Sequence, residues 1–267
     1  MIRDIMNAAA SKVLLSNGQF ENRHKGEECY LFGNGASIKY FDLSKFSDKI
    51  SFGCNKLDVH KDISKLNLKY YISTHPLLYS KYWRGVKSGF HIERNPFYDS
   101  VHSHSSDDYQ VFVHASNYPF AKKYDNFHYV HNFKRNKLSL DTLDFSSSSS
   151  FTTGGLVTMI GLAIYMGFKK LYLVGCDYWF STRGQGHFYS IDDYLEKEGD
   201  FLYKELIQVI SNEVEIVVVT RNGVKSPVNY VEYSELTGAD EKKKSATDIV
   251  SEEDLKFLAT TMYLRGK

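Results

Sequence analysis

An apolar helix followed directly by an apolar strand is the feature that most restricts the fold of this chain. The helical pattern is GGLVTMIGLAIYMG, residues 154–167, which is apolar on nearly every side and ends at a glycine, a common helix terminator. Residues 169–177, KKLYLVGCD, then form a continuous apolar run typical of a strand buried on both faces. A helix and a strand that both need burial predict a sheet with helices on both faces.

Strand patterns recur along the rest of the chain and alternate with helical ones. Further apolar runs predict strands within residues 29–35, 49–55, 68–74, 109–115, 127–136 and 214–220. Amphipathic patterns predict helices over 192–212 and 251–264, the second with Ser251 as its N-cap. Because strands alternate with helices, the fold class is α/β, with a Rossmann-like, mostly parallel sheet.

The chain length of 267 residues suits one large domain with a small lid. Residues 1–28 predict a helical lead-in, and residues 29–237 a nucleotide-sugar-binding domain. Within it, residues 75–108 are aromatic and basic without clean periodicity, and we interpret them as a lid-like segment. Residues 238–267 predict a charged, mobile linker followed by the C-terminal helix.

Composition excludes several classes of protein. The net charge of +1 disfavours a nucleic-acid partner, and three cysteines without a CxxC pair favour a reducing compartment. The N-terminal stretch is interrupted by Arg3 and Asp4, so it does not resemble a secretory signal. No apolar run approaches the ~20 residues that span a bilayer. These features favour a soluble, cytoplasmic protein.

Four polar stretches follow predicted strands or begin predicted helices. They are Gly33-Asn34-Gly35-Ala36-Ser37, Gly53-Cys54-Asn55, Thr152-Thr153-Gly154-Gly155 and the segment 175–193. In open α/β sheets, ligands bind outside the carboxyl ends of the strands, so we expect these stretches to lie close together.

Each of the first three stretches has two interpretations. The glycines at 33 and 35 let backbone N–H groups approach a phosphate, or they make a tight turn. Asn55 suits a ribose or a base edge, or it too makes a turn. Thr153 and Gly154 stand where a helix N-terminus attracts an anion, or where a threonine caps the helix.

The fourth stretch concentrates titratable and aromatic side chains after a buried strand. A histidine among aromatic residues near a carboxylate suits a general base, and tyrosine or arginine side chains suit phosphate oxygens. A structural histidine is the alternative interpretation. The candidates are Asp177, Tyr178, Trp179, Arg183, His187 and Tyr189.

Known catalytic and metal-binding motifs are missing from the sequence. There is no DxD pair of the type that holds a divalent ion on sugar nucleotides, no GxSxG and no HExxH. His102 and His104 stand beside serine and aspartate, so a metal site there is an alternative interpretation. The sequence around them is typical of a loop, which disfavours it. We therefore expect neither a metal nor another cofactor.

The order of these motifs resembles that of a known enzyme family. GNGAS, then GCN, then TTGG beginning an apolar helix, then YLVGCDYW, is similar to the bacterial sialyltransferases of glycosyltransferase family 42. A looser similarity links the chain to 6-hydroxymethylpterin pyrophosphokinase-like proteins, including motility-associated factors. The resemblance covers roughly residues 30–60 and 146–195. It implies a single Rossmann-like domain with a lid that uses CMP-activated sialic acid without a metal.

The resemblance also implies roles for individual residues. A family histidine acts as base and two tyrosines stabilise the departing phosphate; here His187 is assigned by chemistry and position. The pattern departs at Trp179, where the family has tyrosine, and at Ser150, where an arginine is frequent. The implied donor contacts are Asn34, Gly35 and Ser37 for phosphate and ribose, Asn55 for cytidine or phosphate, Thr153 and Gly154 at the helix start, and Tyr178 and Tyr189 for the phosphate.

These observations predict a metal-independent glycosyltransferase. It would transfer sialic acid, a related nonulosonic acid or Kdo from a CMP donor to a surface glycan acceptor, in lipopolysaccharide or capsule biosynthesis. Peripheral association with the inner membrane and the oligomeric state are left open. Two alternatives remain: an ATP- and Mg²⁺-dependent pyrophosphokinase-like phosphotransferase, and a non-catalytic nucleotide-binding module on the same fold.

Overall fold

A parallel sheet forms the centre of the molecule in the computed structural model. The structure describes residues 8, 11–79, 82–83, 93–94, 108–132, 137–177, 183–184, 186–190, 196–197 and 204–260. Within these residues the sheet has eight strands, all parallel to their neighbours. They are β1 Glu28–Phe32, β2 Ile50–Cys54, β3 Leu68–Ser73, β4 Gln110–His114, β5 Phe127–Val130, β6 Lys170–Val174, β7 Glu215–Thr220 and β8 Tyr230–Glu232.

The strand order places a topological switch point beside β1. The order across the sheet is β8-β7-β6-β1-β2-β3-β4-β5, so the chain builds outward from β1 to β5 and then returns to the other side of β1 as β6. The loops after β1 and β6 consequently leave the same sheet edge in opposite directions. Such a crevice is where open α/β sheets bind ligands.

Helices and 3₁₀ turns cover the sheet. The helices are α1 Tyr118–Ala121, α2 Gly155–Tyr165, α3 Lys204–Ile210, α4 Tyr233–Thr237, α5 Ala246–Ile249 and α6 Glu252–Thr260. The 3₁₀ segments are Leu15–Phe20, Ala36–Tyr40, Leu43–Phe46, Leu57–Val59, Ile63–Lys65, Ala115–Asn117 and Leu140–Thr142. Two short antiparallel ribbons pair Tyr82–Trp83 with Glu93–Arg94 and Arg183–Gly184 with Glu196–Lys197.

Two apolar layers bury the two faces of the sheet, as the continuous apolar strands predict. In β1, Tyr30 and Phe32 belong to one layer, while Cys29 and Leu31 belong to the other. The alternation follows from the two-residue period of a strand. The fold class predicted from the sequence is therefore confirmed.

Helix α2 is buried along most of its length, also as predicted. It ends in a Schellman motif: Gly167 has φ +86°, its N–H donates to Ile164, and the N–H of Phe168 donates to Ala163. Glycine reaches this left-handed conformation without the steric cost that a Cβ would add. The sharp stop turns the chain directly into β6, and this places the start of α2 at the carboxyl edge of the sheet.

The C-terminal region has backbone contacts that the sequence prediction does not include. Where we predict a charged, mobile linker, the backbone of Lys242 and Lys244 donates to the carbonyls of Tyr40 and Lys39, and α5 begins with a capping box at Ser245. Ser251 caps α6 as predicted, accepting from the N–H of Asp254 at 3.0 Å. The Lys244 ammonium also donates to the carbonyl of Phe41 at 3.3 Å. Charged composition therefore does not reveal that this segment is held by hydrogen bonds.

Within the predicted 192–212 helix, α3 confirms helical structure over Lys204–Ile210, whereas Glu196–Lys197 belong to an antiparallel ribbon and contradict it there. Of the lid-like segment 75–108, only residues 75–79, 82–83, 93–94 and 108 are described. Among the residues that the structure describes, no helix is long and apolar enough to cross a membrane.

Candidate active site

A pocket lies at the switch point between β1 and β6. It has a volume of about 160 Å³ and is walled by the turns after β1, β2 and β6, by the start of α2 and by one histidine. All four sequence stretches therefore contribute to the pocket, the fourth through Gly175, Cys176 and His187. The lining residues are Gly33, Asn34, Gly35, Cys54, Asn55, Gly155, Leu156, Gly175, Cys176 and His187.

The turn after β1 packs backbone to backbone on the turn after β6. Gly33 N donates to the carbonyl of Val174, and Gly35 N donates to that of Gly175, both at 2.8 Å. A Cβ on Gly33 would lie 2.3 Å from the carbonyl oxygen of Gly175, closer than two such atoms can approach. The glycine at position 33 thus permits the contact that forms the pocket floor.

Replacing Gly33 with alanine is expected to destabilise the fold by about 3 kcal/mol, because backbone rather than a flexible side chain must move. Urea unfolding followed by circular dichroism measures the change. The matched control is Gly18→Ala, since a Cβ there meets only one atom, at 4.0 Å. Equal stability of the two variants would contradict the close packing of the two turns.

Asn34 connects the turn after β1 to the turn after β2 and to the loop that contains His187. Its Nδ2 donates to the carbonyl of Cys54 at 2.8 Å, and its Oδ1 accepts from the N–H of Lys56 at 3.0 Å. Its carbonyl accepts from the N–H of Phe188 at 3.1 Å. The family resemblance implies that Asn34 contacts the nucleotide. In the structure its side-chain amide is hydrogen-bonded to the backbone that follows β2, so Asn34 shapes the wall of the pocket.

Asn55 occupies a left-handed turn at the end of β2. Its φ is +54°, a conformation that asparagine tolerates better than most residues. The Tyr71 hydroxyl donates to its carbonyl at 2.8 Å, which holds the turn in place. The Asn55 amide faces the start of α2, with 3.2 Å between Nδ2 and the position that a Cβ on Gly155 would take.

The first turn of α2 presents backbone N–H groups to the pocket. Gly154 is the N-cap residue, with φ +87°, and among the described residues no side chain caps the helix. Gly155 and Leu156 line the pocket, whereas Thr153 and Gly154 are exposed and are not among its lining residues, so their implied contacts with a donor stay predictions. Unpaired N–H groups and the positive end of the helix dipole favour an anion such as a phosphate.

His187 lines the same pocket as this helix start. Its backbone bridges to Gly35, and its Nδ1 lies 3.2 Å from the carbonyl oxygen of Asn34. Because a carbonyl only accepts, Nδ1 carries the proton of the neutral ring and Nε2 carries the lone pair. Burial lowers the pKa of His187 below 6.5, partly offset by the Asn34 bond. A neutral ring with a basic Nε2 suits proton abstraction near pH 7.

Tyr189 supports the His187 ring from behind. The two rings stack with centroids 4.9 Å apart, and Tyr189 is only 1 % exposed. The loop is closed by paired bonds, in which His187 N donates to Ser190 Oγ and Ser190 N donates to the His187 carbonyl, each at 2.9 Å. The implied phosphate role of Tyr189 stays a prediction, whereas its contact with the histidine is observed.

Asp177 and Ser37 lie behind the pocket wall. The Asp177 carboxylate is 3 % exposed and accepts from the backbone N–H of Ser37 at 2.7 Å, at the start of the 3₁₀ segment Ala36–Tyr40. The Ser37 hydroxyl is buried and has no hydrogen-bond partner among the described residues. Neither side chain belongs to the pocket lining, so their predicted contacts with a nucleotide stay predictions.

Three predicted site residues cannot be placed. Tyr178 and Trp179 lie outside the described residues, and Arg183 is described only through its backbone, in the ribbon with Glu196–Lys197. Their roles remain those stated from the sequence.

The sequence analysis missed two cysteines in the pocket wall. Cys54 and Cys176 both occupy a glycine-cysteine-polar pattern at a strand end, and this repetition is the signal that would have identified them. Burial raises the pKa of Cys54 to about 12 and that of Cys176 well above its usual value. Both thiols are therefore neutral near pH 7, so they fill space beside the turns and are poor nucleophiles.

Within the part of the chain that the structure describes, no group of three or more His, Cys, Asp or Glu side chains is placed to hold a metal ion.

Solved sialyltransferases are similar to this chain, whereas no protein-family model and no curated protein matches it. CstII from Campylobacter jejuni with cytidine-5′-monophosphate has 17% identity and a TM-score of 0.47, over 88% of this chain and 98% of that one. CstII with a trisaccharide acceptor and CMP has 17% identity and a TM-score of 0.44, over 88% and 100%. The monofunctional α-2,3-sialyltransferase Cst-I from Campylobacter jejuni has 15% identity and a TM-score of 0.41, over 88% and 92%.

Proposed function

We propose that this chain is a glycosyltransferase that moves an acidic sugar from a CMP-activated donor to a glycan acceptor without a metal ion. The observation that carries the proposal is the pocket at the switch point, which is lined both by the uncapped start of α2 and by His187. The helix start suits a phosphate, and the histidine suits a base. A group transfer from a phosphate-activated donor needs both.

The start of α2 would bind the phosphate of the donor. The N–H groups of Gly155 and Leu156 are the first of the helix, and the pocket brings Asn55 beside them. We assign Asn55 to the ribose or the cytosine edge, because its amide offers both a donor and an acceptor. The choice of CMP and of sialic acid, a related nonulosonic acid or Kdo comes from the motif order described above.

The reaction separates charge at the phosphate, and the pocket supplies groups to stabilise it. The bond between the sugar carbon and the phosphate oxygen breaks, and CMP leaves with the electron pair. Helix N–H groups stabilise the leaving phosphate without rearranging, which is the most effective way to lower such a barrier. An acceptor hydroxyl oxygen then bonds to the sugar carbon, while its proton passes to Nε2 of His187.

The acceptor would be a surface glycan of the lipopolysaccharide or capsule type. Such acceptors are assembled at the cytoplasmic face of the membrane, so we place the enzyme in the cytoplasm with peripheral membrane association. Rate measurements with and without vesicles that carry the acceptor would test this placement.

Binding of CMP is expected to raise the melting temperature by roughly 5–10 °C at 100 times its dissociation constant. That saturation contributes about 2.7 kcal/mol to the folded state, and each kcal/mol shifts a chain of this size by about 2–4 °C. Differential scanning fluorimetry with CMP, CDP, UDP, GDP, ATP and ATP with Mg²⁺ makes the comparison. Asn55→Gly, which keeps the left-handed turn but removes the amide, is expected to show a smaller CMP shift relative to its own ligand-free value.

The same panel separates the alternatives. A shift that is larger with ATP and requires Mg²⁺ would favour the pyrophosphokinase-like function over the one proposed. Binding of CMP alone does not establish catalysis, so hydrolysis of CMP-sialic acid without an acceptor is measured as well. A protein that binds CMP but never hydrolyses any CMP-sugar would be a binding module.

A further inference from the structure

A buried lysine reaches the loop that carries His187. Lys39 belongs to the 3₁₀ segment Ala36–Tyr40, which follows the turn after β1, and it is only 5% exposed. Its Nζ donates to the carbonyl of Ser190 at 2.7 Å, across 151 residues of sequence. We name residues 186–190 the histidine turn. Lys39 therefore joins the histidine turn to a segment beside the pocket.

The segment that bears Lys39 is held at both of its ends. At its start, the N–H of Ser37 donates to the Asp177 carboxylate at 2.7 Å. At its end, the carbonyl of Lys39 accepts from the N–H of Lys244 at 2.9 Å. Between these two bonds, the side chain of Ile38 is fully buried in the core. The ammonium of Lys39 thus extends from a backbone that is itself fixed.

The histidine turn is also attached to the turn after β1. The N–H of Phe188 donates to the carbonyl of Asn34 at 3.1 Å, and His187 forms a bridge with Gly35. The far end of the histidine turn is closed by the two bonds between His187 and Ser190, each 2.9 Å long. The lysine ammonium on the carbonyl of Ser190 adds an attachment at this far end.

A buried ammonium is a costly way to fill space. Moving a charge out of water costs free energy, and replacing a buried charged group with an apolar side chain of similar volume is often neutral or stabilising. Packing at this position therefore does not require a lysine. A hydrogen bond from a charged donor is short and strong, as the 2.7 Å between Nζ and the Ser190 oxygen shows. What Lys39 adds over an apolar residue is this directional bond to the histidine turn.

The position of the histidine turn determines where Nε2 of His187 lies. The His187 ring stacks on Tyr189 of the same turn, with centroids 4.9 Å apart, so the two rings move together. Phe188 is fully buried and anchors the middle of the turn. Loss of the bond to Ser190 is therefore expected to shift the turn rather than to unfold it. A shift of about 1 Å at a catalytic group lowers a rate by up to about 10²-fold.

We propose that Lys39 is a positioning residue for the transfer reaction. Its ammonium holds the carbonyl of Ser190, and through the histidine turn it fixes the place of the His187 ring in the pocket. Lys39 is not among the residues that line the pocket, so it acts through His187 and not on the donor. This inference rests on the proposed function, in which His187 is the base.

Lys39→Met tests the proposal, because methionine keeps an unbranched side chain but has no ammonium. The rate measured is hydrolysis of CMP-sialic acid without an acceptor, in which water gives its proton to the same base. We expect kcat to fall about tenfold, while the donor KM and the CMP-induced rise in melting temperature equal those of the wild type. The matched control is Lys45→Met, since Lys45 is exposed on the neighbouring 3₁₀ segment Leu43–Phe46.

Amide hydrogen exchange, followed by NMR, tests the attachment of the histidine turn without any need for activity. The N–H groups of Phe188 and Ser190 are both hydrogen-bonded, to the carbonyls of Asn34 and His187. In Lys39→Met both are expected to exchange about tenfold faster, because the end of the turn is released. The N–H of Gly33 in the pocket floor is expected to keep its rate, and the control variant is expected to change none of the three.

Several results would overturn the proposal. An unchanged kcat in Lys39→Met would do so, even with faster exchange at Phe188 and Ser190, because the position of the turn would then not matter. A raised donor KM or a smaller CMP-induced shift would mean that Lys39 acts on the donor. A variant that does not fold, or that also exchanges faster at Gly33, would assign Lys39 to the fold alone. If the wild type does not hydrolyse CMP-sialic acid, the proposed function itself fails, and the role of Lys39 in the reaction fails with it.

Discussion

His187→Asn is expected to lower kcat for sugar transfer by about 10²–10⁴-fold, the usual contribution of a general base. Asparagine keeps a side-chain N–H for the carbonyl of Asn34, which Nδ1 of His187 approaches at 3.2 Å. It offers no basic nitrogen in place of Nε2. The variant therefore removes the base while keeping the loop, and its CMP-induced rise in melting temperature is expected to equal that of the wild type.

The pH profile distinguishes a base from a structural histidine. Because burial lowers the pKa of His187, kcat/KM of the wild type is expected to rise with pH through a value below 6.5 and then level off. This acid limb is expected to disappear in His187→Asn. His24→Asn serves as the control, since it changes a histidine outside the pocket. Full transfer activity in His187→Asn would exclude His187 as the base.

Acidification from pH 6.5 to pH 4 is expected to destabilise the fold by about 3 kcal/mol for each of two buried histidines, His60 and His128. They are 2% and 6% exposed, and burial lowers the pKa of each to about 4. Below pH 6.5 the unfolded chain binds protons that the folded chain excludes, so the free energy of unfolding falls as the pH falls. The loss is complete only below the folded pKa.

His60 offers the sharper test of this pH dependence. Its Nδ1 accepts from the N–H of Asp62 at 3.0 Å, so its proton is on Nε2, which is buried without a partner among the described residues. Asparagine replaces the acceptor but does not titrate. Urea unfolding at pH 7 and pH 4.5 is expected to show a smaller loss of stability in His60→Asn than in the wild type, by about 2–3 kcal/mol. An equal loss in both proteins would show that His60 is not among the titrating groups.

The strands and the buried helix were predictable because their burial depends on the pattern of apolar residues within a short stretch of sequence. The run 154–177 predicts α2, its glycine stop and β6, since each depends on side chains only a few residues apart. The backbone contacts of the C-terminal segment were harder to predict from the sequence. The partners of Lys242 and Lys244 are the carbonyls of Tyr40 and Lys39, about two hundred residues earlier, which no local pattern encodes.

The pocket was predictable in its location but less so in its details. That the turns at 33–35 and 55 and the helix start at 154–155 meet follows from where strands end in a parallel sheet. Which atoms face the pocket does not follow. Asn34 uses its amide to hold the β2 turn, and Asp177 binds the backbone of Ser37, because both side chains have nearby unpaired backbone groups to satisfy.

By itself the sequence determined the α/β class, the identity of most strands and the polar stretches at their ends. These depend on periodicity and on the conformational limits of glycine, which act over a few residues. Only the tertiary structure decided that β6 returns beside β1, which opens the crevice, and that His187 lines this crevice together with the start of α2. Strand order and hydrogen-bond partners result from packing between segments that are distant in the sequence. Each segment could pack in several ways, and the native arrangement is the one in which all contacts together give the lowest free energy.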